Sequence, residues 1–199
     1  EWCKTQQIRL LADESFADFA DEEDSSLLSE ELFARFPELI VVKSISKSYG
    51  VPGARLGIVA SFDEKLISSV KKDVAIWNIN SFGEFFLQIF EKYKKDYDAS
   101  LVRIKASRSR LAGALGNISG LRVIPSQANY LMAELTGPLT AEELTCRLLA
   151  EDGILIKDLT KKIRRGDKQY VRIAVRDDAD NLRLTKALAR ILGEKPASR

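Results

Sequence analysis

The pattern of apolar and polar positions divides the first part of the chain into short strands and short helices. Compact apolar runs bounded by polar or turn residues predict strands. These strands cover residues 8–12, 39–45 and 56–61. A short helix is predicted at 29–36, and a capping-box sequence at 61–64 predicts another helix that runs to about residue 74. The acidic stretch 18–24 is expected to be a solvated loop.

A much longer helix is predicted in the middle of the chain. Apolar residues recur at steps of three and four from residue 82 to residue 115, after a second capping-box sequence at 81–84. This spacing predicts a very long, bent helix that ends at Gly116. Its basic stretch, 103–110, is interpreted as a solvated face, because acidic residues flank it and no aromatic residues interleave it.

The last part of the chain again mixes strands and helices. Strands are predicted at 121–124, 128–135, 154–156 and 170–176, and helices from a third capping box at 140–143 to Gly153 and over 178–192. The segment 158–167 is expected to be a mobile loop and the tail after Gly193 to be disordered. In the strand 170–176, the alternation turns Arg172 away from the core. Strands and helices therefore mix throughout, which indicates the α/β class.

Composition narrows the possible functions. The chain has 199 residues, of which 45% are hydrophobic and 30% charged, and a net charge of +2, so nothing indicates a nucleic-acid or membrane partner. Histidine is absent, which excludes Ser-His-Asp and Cys-His triads and removes the commonest metal ligand, so no metal site is expected. The two cysteines do not form a disulfide framework and fit a reducing cytoplasm.

The candidate chemistry lies in residues 41–57. An apolar run ends in two serines and Lys47, and a turn rich in glycine and proline then leads to Arg55. Hydroxyl groups and a guanidinium this close in sequence can converge on an anion, and a lysine beside them suggests a bond to a phosphorylated aldehyde cofactor. The alternative is an exposed lysine between two strands and a turn.

The full pattern is Ser-x-Ser-Lys-x-x-Gly-x-x-Gly-x-Arg-x-Gly. It resembles the lysine segment of the fold-type I pyridoxal-phosphate enzymes in the class I/II aminotransferase superfamily, in the branch that contains histidinol-phosphate aminotransferase and threonine-phosphate decarboxylase. The resemblance implies that Lys47 forms a Schiff base with pyridoxal 5'-phosphate. It also implies that Ser44, Ser46 and Arg55 hold the cofactor phosphate.

Two further residues follow from the resemblance. Asp13, in Asp13-Glu14-Ser15-Phe16, corresponds to the aspartate that holds the pyridine nitrogen. Phe16 replaces a tyrosine found in many aminotransferases, which is a feature of the decarboxylase-like members. Arg172 corresponds to the arginine that clamps the substrate carboxylate. Without the resemblance, Asp13 is also consistent with a helix N-cap or a turn residue after a strand. Arg172 is likewise consistent with a surface strand arginine in an ordinary ion pair.

The resemblance also sets the expected organisation. Residues 1–95 correspond to the remainder of a cofactor-binding large domain with a mixed sheet, and residues 96–199 to a small α/β C-terminal domain, joined by the helix at about 82–115. The N-terminal half of the usual family sequence is not found in these residues. We therefore expect weak cofactor binding and little turnover from the chain alone.

The expected activity is transfer of an amino group between an amino acid and a keto acid, in a cytoplasmic homodimer. One alternative is decarboxylation of a phosphorylated amino acid, suggested by Phe16. The other is a catalytically silent domain that serves dimerisation or regulation.

Overall fold

The structure, a computed structural model, describes residues 1–22, 25–163 and 166–193. Its helices are α1 (Trp2–Thr5), α2 (Glu30–Arg35), α3 (Glu64–Asp73), α4 (Ser81–Phe90), α5 (Lys94–Gly116), α6 (Ala141–Asp152) and α7 (Asp178–Leu192). Its strands are β1 (Leu11–Asp13), β2 (Ile40–Ser44), β3 (Gly57–Ala60), β4 (Leu121–Ile124), β5 (Tyr130–Leu135), β6 (Lys157–Asp158) and β7 (Gln169–Ala174). No described helix has the length and apolarity that a membrane span requires.

The chain divides into two compact units, Glu1–Leu101 and Val102–Arg199. The division falls within α5, a few residues from the boundary expected near residue 96. The assignment of these units as family domains stays a prediction. Each unit is described by itself below.

The first unit contains a mixed three-stranded sheet in the order β1-β2-β3. β1 runs parallel to β2, with Asp13 beside Val42, and β3 runs antiparallel to β2, with Gly57 beside Ser44. Phe33, Leu39 and Val41 form its buried apolar cluster. The parallel pairing brings the carboxyl ends of β1 and β2 to the same edge, which is where ligands bind in open α/β sheets.

The second unit contains an antiparallel four-stranded sheet in the order β4-β5-β7-β6. One face of this sheet carries the large buried cluster, to which α5, α6 and α7 contribute. Its most buried members are Leu111, Leu115, Leu131, Leu144, Leu148, Val171, Ile173 and Leu188. Arg172 lies on the other face and is exposed, as the alternation in the sequence predicts, but Tyr170 on that same face is buried.

Most predicted elements are present, with shifted ends. α7 has the predicted bounds, and the capping box at Thr140 is confirmed. The capping boxes expected at Ser61 and Ser81 are wrong, because Asp63 and Asn80 are the N-cap residues whose side chains accept the backbone hydrogen bonds. Helical residues run from Ser81 to Gly116, with a 3-10 turn at Glu91–Tyr93 between α4 and α5.

Two other expectations need correction or fall outside the described residues. The strand expected at 154–156 is wrong: the residues that pair with β7 are Lys157 and Asp158. The tail after Gly193, and residues 164–165 of the expected loop at 158–167, lie outside the described part of the chain, as do residues 23–24 of the expected acidic loop.

Candidate cofactor site

The lysine segment forms a turn at the carboxyl end of β2. The backbone N–H of Ile45 donates to the carbonyl oxygen of Leu56, 3.1 Å away, and the N–H of Gly50 donates to the carbonyl of Lys47 at 3.3 Å. Gly50 has a φ of 67°, a left-handed conformation that glycine adopts without steric cost. The turn leaves Lys47 exposed, with its Nζ 5.9 Å from the centroid of the Phe16 ring.

Asp13, at the end of β1, lies beside this turn. Its Oδ1 accepts hydrogen bonds from the Ser15 hydroxyl at 2.5 Å and from the Ser15 backbone N–H at 2.9 Å. These two bonds lower the pKa of Asp13, so the carboxyl group is ionised at neutral pH. The turn role considered for Asp13 is therefore real, and it keeps the side chain anionic.

A chain of hydrogen bonds connects Asp13 to the predicted phosphate-binding serines. The Ser15 hydroxyl accepts from the backbone N–H of Ser44 at 3.1 Å, and the Ser44 hydroxyl accepts from the backbone N–H of Ser46 at 3.3 Å. Ser46 is buried. These bonds fix the loop after β1 against the end of β2.

Arg55 completes this part of the site. It follows a 3-10 turn, Pro52–Ala54, and has the left-handed backbone angles φ 56° and ψ 43°, which are uncommon outside glycine. Its guanidinium donates to the carbonyl oxygen of Pro52 at 3.3 Å. Non-glycine residues in this conformation are found preferentially at functional sites.

These side chains line one cavity of about 400 Å³, within the usual range of about 300–1,000 Å³ for small-molecule sites. The lining residues are Asp13, Ser15, Val42, Lys43, Ser44, Ser46, Arg55, Leu56, Gly57, Ile58 and Val59. Among the described residues, Lys47 is not part of this lining, although it directly follows Ser46. The structure thus brings together four of the five residues expected at the cofactor in this unit.

The residues fit a ring with an anionic arm. A carboxylate with a lowered pKa favours a protonated ring nitrogen, and two serines with an arginine provide hydrogen-bond donors for a phosphate. The Asp13 carboxylate and the Arg55 guanidinium both line this cavity. A ligand with a protonated ring and a phosphate requires both charges.

The structure also shows residues that the sequence reasoning missed. Asp18, expected in a solvated loop, is instead half-buried, with its Oδ1 2.5 Å from the Lys43 ammonium and its Oδ2 2.6 Å from the Ser48 hydroxyl. Burial disfavours ionisation of Asp18, but the hydrogen bonds from Lys43 and Ser48 outweigh it and lower its pKa. A lysine inside an otherwise apolar strand was the available signal, because such a charge needs a partner.

The second unit presents a pair of cations on the exposed face of its sheet. Arg172 pairs in register with Lys157 on β6, and its guanidinium lies 5.2 Å from the ring centroid of Tyr130. The Glu134 carboxylate on this sheet pairs with Arg122 and Lys168 instead. No carboxylate that the structure describes pairs with Arg172 or Lys157. Whether Arg172 and Lys47 serve one site stays a prediction.

Comparison with known proteins now identifies the family. Residues 1–188 match the aminotransferase class I and II family, and the chain belongs to it. Enzymes of this family use pyridoxal 5'-phosphate.

Individual relatives show the same likeness. The chain is 35% identical over 94% of its length to a CMP-5'-(3-aminopropyl)phosphonate synthase from Streptomyces rubellomurinus. It is also 35% identical over 92% of its length to an L-serine phosphate decarboxylase from Sulfurospirillum multivorans. The structure of a histidinol-phosphate aminotransferase from Clostridium acetobutylicum matches 96% of the chain with a TM-score of 0.86 and 26% identity.

The chain spans only part of these proteins: 29% of the synthase, 47% of the decarboxylase and 56% of the aminotransferase. The family and the partial α/β fold expected from the lysine motif are confirmed.

Proposed function

We propose that the chain is the lysine-bearing part of a pyridoxal-phosphate-dependent enzyme that decarboxylates a phosphorylated amino acid. The observation that carries the cofactor assignment is the single cavity that collects Asp13, Ser44, Ser46 and Arg55 next to Lys47. The observation that favours a phosphorylated substrate is the cation pair formed by Arg172 and Lys157.

Each residue at the cavity has a definite task in this proposal. When bound, pyridoxal phosphate supplies an aldehyde that bonds to an amine and a ring that withdraws electrons from the bonds of the attached carbon. Lys47 would supply the amine that holds the cofactor, and its Nζ could also take and return a proton. Asp13 would favour the protonated ring nitrogen, and Arg55 with the two serines would donate hydrogen bonds to the phosphate.

The cation pair is suited to a substrate with two anionic groups. Side chains directly opposite each other on antiparallel strands have Cβ atoms about 5 Å apart, so both cations can contact one small molecule. The planar guanidinium of Arg172 suits the bidentate geometry of a carboxylate, while the Lys157 ammonium is a point charge that suits a phosphate. The relative from Sulfurospirillum multivorans is named for decarboxylation of serine phosphate, which is a substrate of this kind.

Transamination is the second candidate, and it is the activity that the sequence motif suggested first. The structural match to a histidinol-phosphate aminotransferase favours it. Phe16 favours decarboxylation, since it provides no hydroxyl group where many aminotransferases have a tyrosine. Both reactions use the same cofactor residues, so they differ in how the substrate bonds are oriented to the ring.

The cofactor assignment is tested by reductive trapping. The 199-residue chain is incubated with pyridoxal phosphate, reduced with borohydride and digested, and the modified lysine is located by mass spectrometry. We expect the modification at Lys47, its loss in Lys47→Ala, and no effect of Lys65→Ala, an exposed lysine in α3. Equal modification of many lysines would contradict the proposal.

The substrate class and the reaction are tested with O-phosphoserine. Nuclear magnetic resonance titration should show tighter binding of O-phosphoserine than of serine, and Lys157→Ala should remove that difference. Release of labelled carbon dioxide from the carboxyl group supports decarboxylation, whereas formation of a keto acid supports transamination. Equal affinity for serine and O-phosphoserine in the unmodified chain would contradict a phosphorylated substrate.

A further inference from the structure

The Asp18 carboxylate joins two segments that are far apart in sequence. One oxygen contacts the ammonium of Lys43 at 2.5 Å, and the other accepts from the Ser48 hydroxyl at 2.6 Å. The Lys43 and Asp18 side chains are only 10% and 16% exposed, so water competes little for these contacts. Asp18 itself lies on a 3-10 turn, Ala17–Phe19, in the loop after β1.

The contact with Ser48 bears directly on the lysine turn, because Ser48 is the residue after Lys47. The next side chain, Tyr49, is also held: its ring stacks on Tyr97 with 4.4 Å between ring centroids and lies 4.9 Å from that of Phe90. On the other side of Lys47, Ser46 is buried. The neighbours of Lys47 are therefore fixed on both sides, while Lys47 is exposed.

The two oxygens of Asp18 have different tasks. The contact with Lys43 neutralises a charge on β2 and keeps the carboxylate ionised, because an opposite charge at this distance favours the charged form. The bond from Ser48 uses that charge to hold the turn, since hydrogen bonds to an ionised acceptor are stronger than neutral ones. The buried Tyr97 hydroxyl lies close to both Asp18 and Ser48, and burial raises its pKa, so this hydroxyl stays protonated beside the Asp18 carboxylate.

We propose that Asp18 is a positioning residue for Lys47, acting through Ser48, with Lys43 as the fixed counter-charge. Asp18 restricts the backbone at residue 48 and thereby the direction in which the Lys47 amine leaves the turn. The inference rests on the proposed function in one respect, namely that Lys47 is the amine that bonds the cofactor.

Ser48 distinguishes this role from a simple ion pair that stabilises β2. Removing its hydroxyl leaves the contact between Asp18 and Lys43 intact, so a purely stabilising ion pair predicts no effect on the turn. Ser48→Ala removes the link, and Ser48→Thr retains a hydroxyl that can rescue it. Ser61→Ala is the matched control: the Ser61 hydroxyl also donates a hydrogen bond, to the carbonyl of Pro37, and it accepts one from the N–H of Asp63, but Ser61 lies after β3.

The first measurement is hydrogen exchange of the Gly50 amide in the 199-residue chain. This amide donates to the carbonyl of Lys47. Loss of one hydrogen bond to a charged group should speed this exchange about tenfold in Ser48→Ala. Ser48→Thr and Ser61→Ala should leave it near the wild-type rate. An unchanged rate in Ser48→Ala would overturn the proposal.

The second measurement is the rate of borohydride trapping at Lys47 relative to the other lysines. Ser48→Ala should lower this relative rate several-fold, and Ser48→Thr should restore most of it. If the wild-type chain is not trapped at Lys47, the proposed function fails, while the exchange measurement still decides whether Asp18 holds the turn. If trapping occurs and is equal in wild type and Ser48→Ala, the positioning role fails and the proposed function stands.

Discussion

Arg55 keeps a backbone conformation that its side chain makes costly. With a φ of 56°, it is one of two non-glycine residues with positive φ in the described chain, the other being Gln7. For an L-residue this conformation costs about 1 kcal/mol or more relative to glycine. The strain fits the role proposed for the Arg55 guanidinium, which is to bind the cofactor phosphate.

This interpretation predicts opposite effects of Arg55→Gly on stability and on binding. We expect the free energy of unfolding to rise by about 1 kcal/mol, because glycine removes the strain. Affinity for inorganic phosphate, measured by titration, should fall. Gln7→Gly is the control, since it should stabilise by a similar amount without changing phosphate binding. A loss of stability in Arg55→Gly would contradict this view.

The lowered pKa of Asp18 predicts loss of stability in acid. A carboxyl group with a lower pKa in the folded state stabilises the fold above its unfolded pKa of about 3.9, and this contribution is lost as the pH falls through the folded value. The free energy of unfolding, measured with urea, should therefore fall more between pH 6 and pH 3 in the wild type than in Asp18→Asn. At pH 6 this variant should be less stable by about 2 kcal/mol, because Lys43 loses its charged partner. Equal pH dependence in both proteins would exclude the effect.

At the scale of residues, the sequence predicted candidate site residues where a continuous motif or the family resemblance pointed to them. Ser44 and Arg55, from the motif, and Asp13, from the resemblance, line one cavity, whereas Lys47 lies next to it. Asp18 and Ser48 are 30 positions apart, and Lys157 meets Arg172 only through the register of β6 and β7. Such pairs depend on strand pairing and loop packing, which no local pattern encodes.

At the scale of elements, α4 packs closely against the turn that carries Arg55. The side-chain amide of its N-cap, Asn80, donates to the carbonyl of Ala54 at 2.9 Å. A Cβ atom on Gly83 would lie 3.0 Å from Leu56 Cδ2 and 3.1 Å from the Ala54 carbonyl oxygen. The absence of a side chain at Gly83 thus allows this close contact.

Two glycine substitutions separate packing from helix propensity. Gly83→Ala should lower the free energy of unfolding by about 1 kcal/mol, because overpacking against a backbone carbonyl exceeds the gain in helix propensity. A Cβ atom on Gly113, in α5, would meet no atom within 4 Å. Gly113→Ala should therefore raise the free energy of unfolding by about 0.5–1 kcal/mol. Thermal unfolding followed by circular dichroism measures both. If Gly83→Ala stabilised as much as Gly113→Ala, the close contact would be unimportant.

Elements were predicted from the sequence most reliably where local signals agree. Thr140 and Glu143 satisfy each other reciprocally, so the capping box and its helix were predictable. At α3 and α4, Asp63 and Asn80 compete with nearby serines for the same capping role, and the choice depends on how the preceding chain approaches the helix. The apolar run 154–156 predicted a strand, but Ile156 is buried in the core without pairing, and the ladder begins at Lys157.

For the whole molecule, the first unit exposes several large apolar side chains close together in sequence. Ile76 is 94% exposed, Trp77 90% and Phe82 85%. Exposed apolar groups of this kind commonly mark a surface that binds another chain. The homodimer expected from the family resemblance offers one such surface and stays a prediction.

Trp77 can report on this expected dimer. In Trp2→Phe, Trp77 is the one remaining tryptophan, and its emission should match that of a solvated indole at low concentration. As dimers form, which analytical ultracentrifugation follows, acrylamide quenching should decrease and the emission should shift to the blue. Constant quenching across the same concentration range would place Trp77 outside the interface.

The unequal cores of the two units have a consequence for heating. The buried cluster of the first unit has three members, Phe33, Leu39 and Val41, whereas the cluster of the second unit has 17. Burial of apolar surface is the main force that resists thermal disorder, so warming should melt the smaller cluster first. The three-stranded sheet, whose β2 leads into the Lys47 turn, would then lose its structure while β7, the strand that carries Arg172, is still folded.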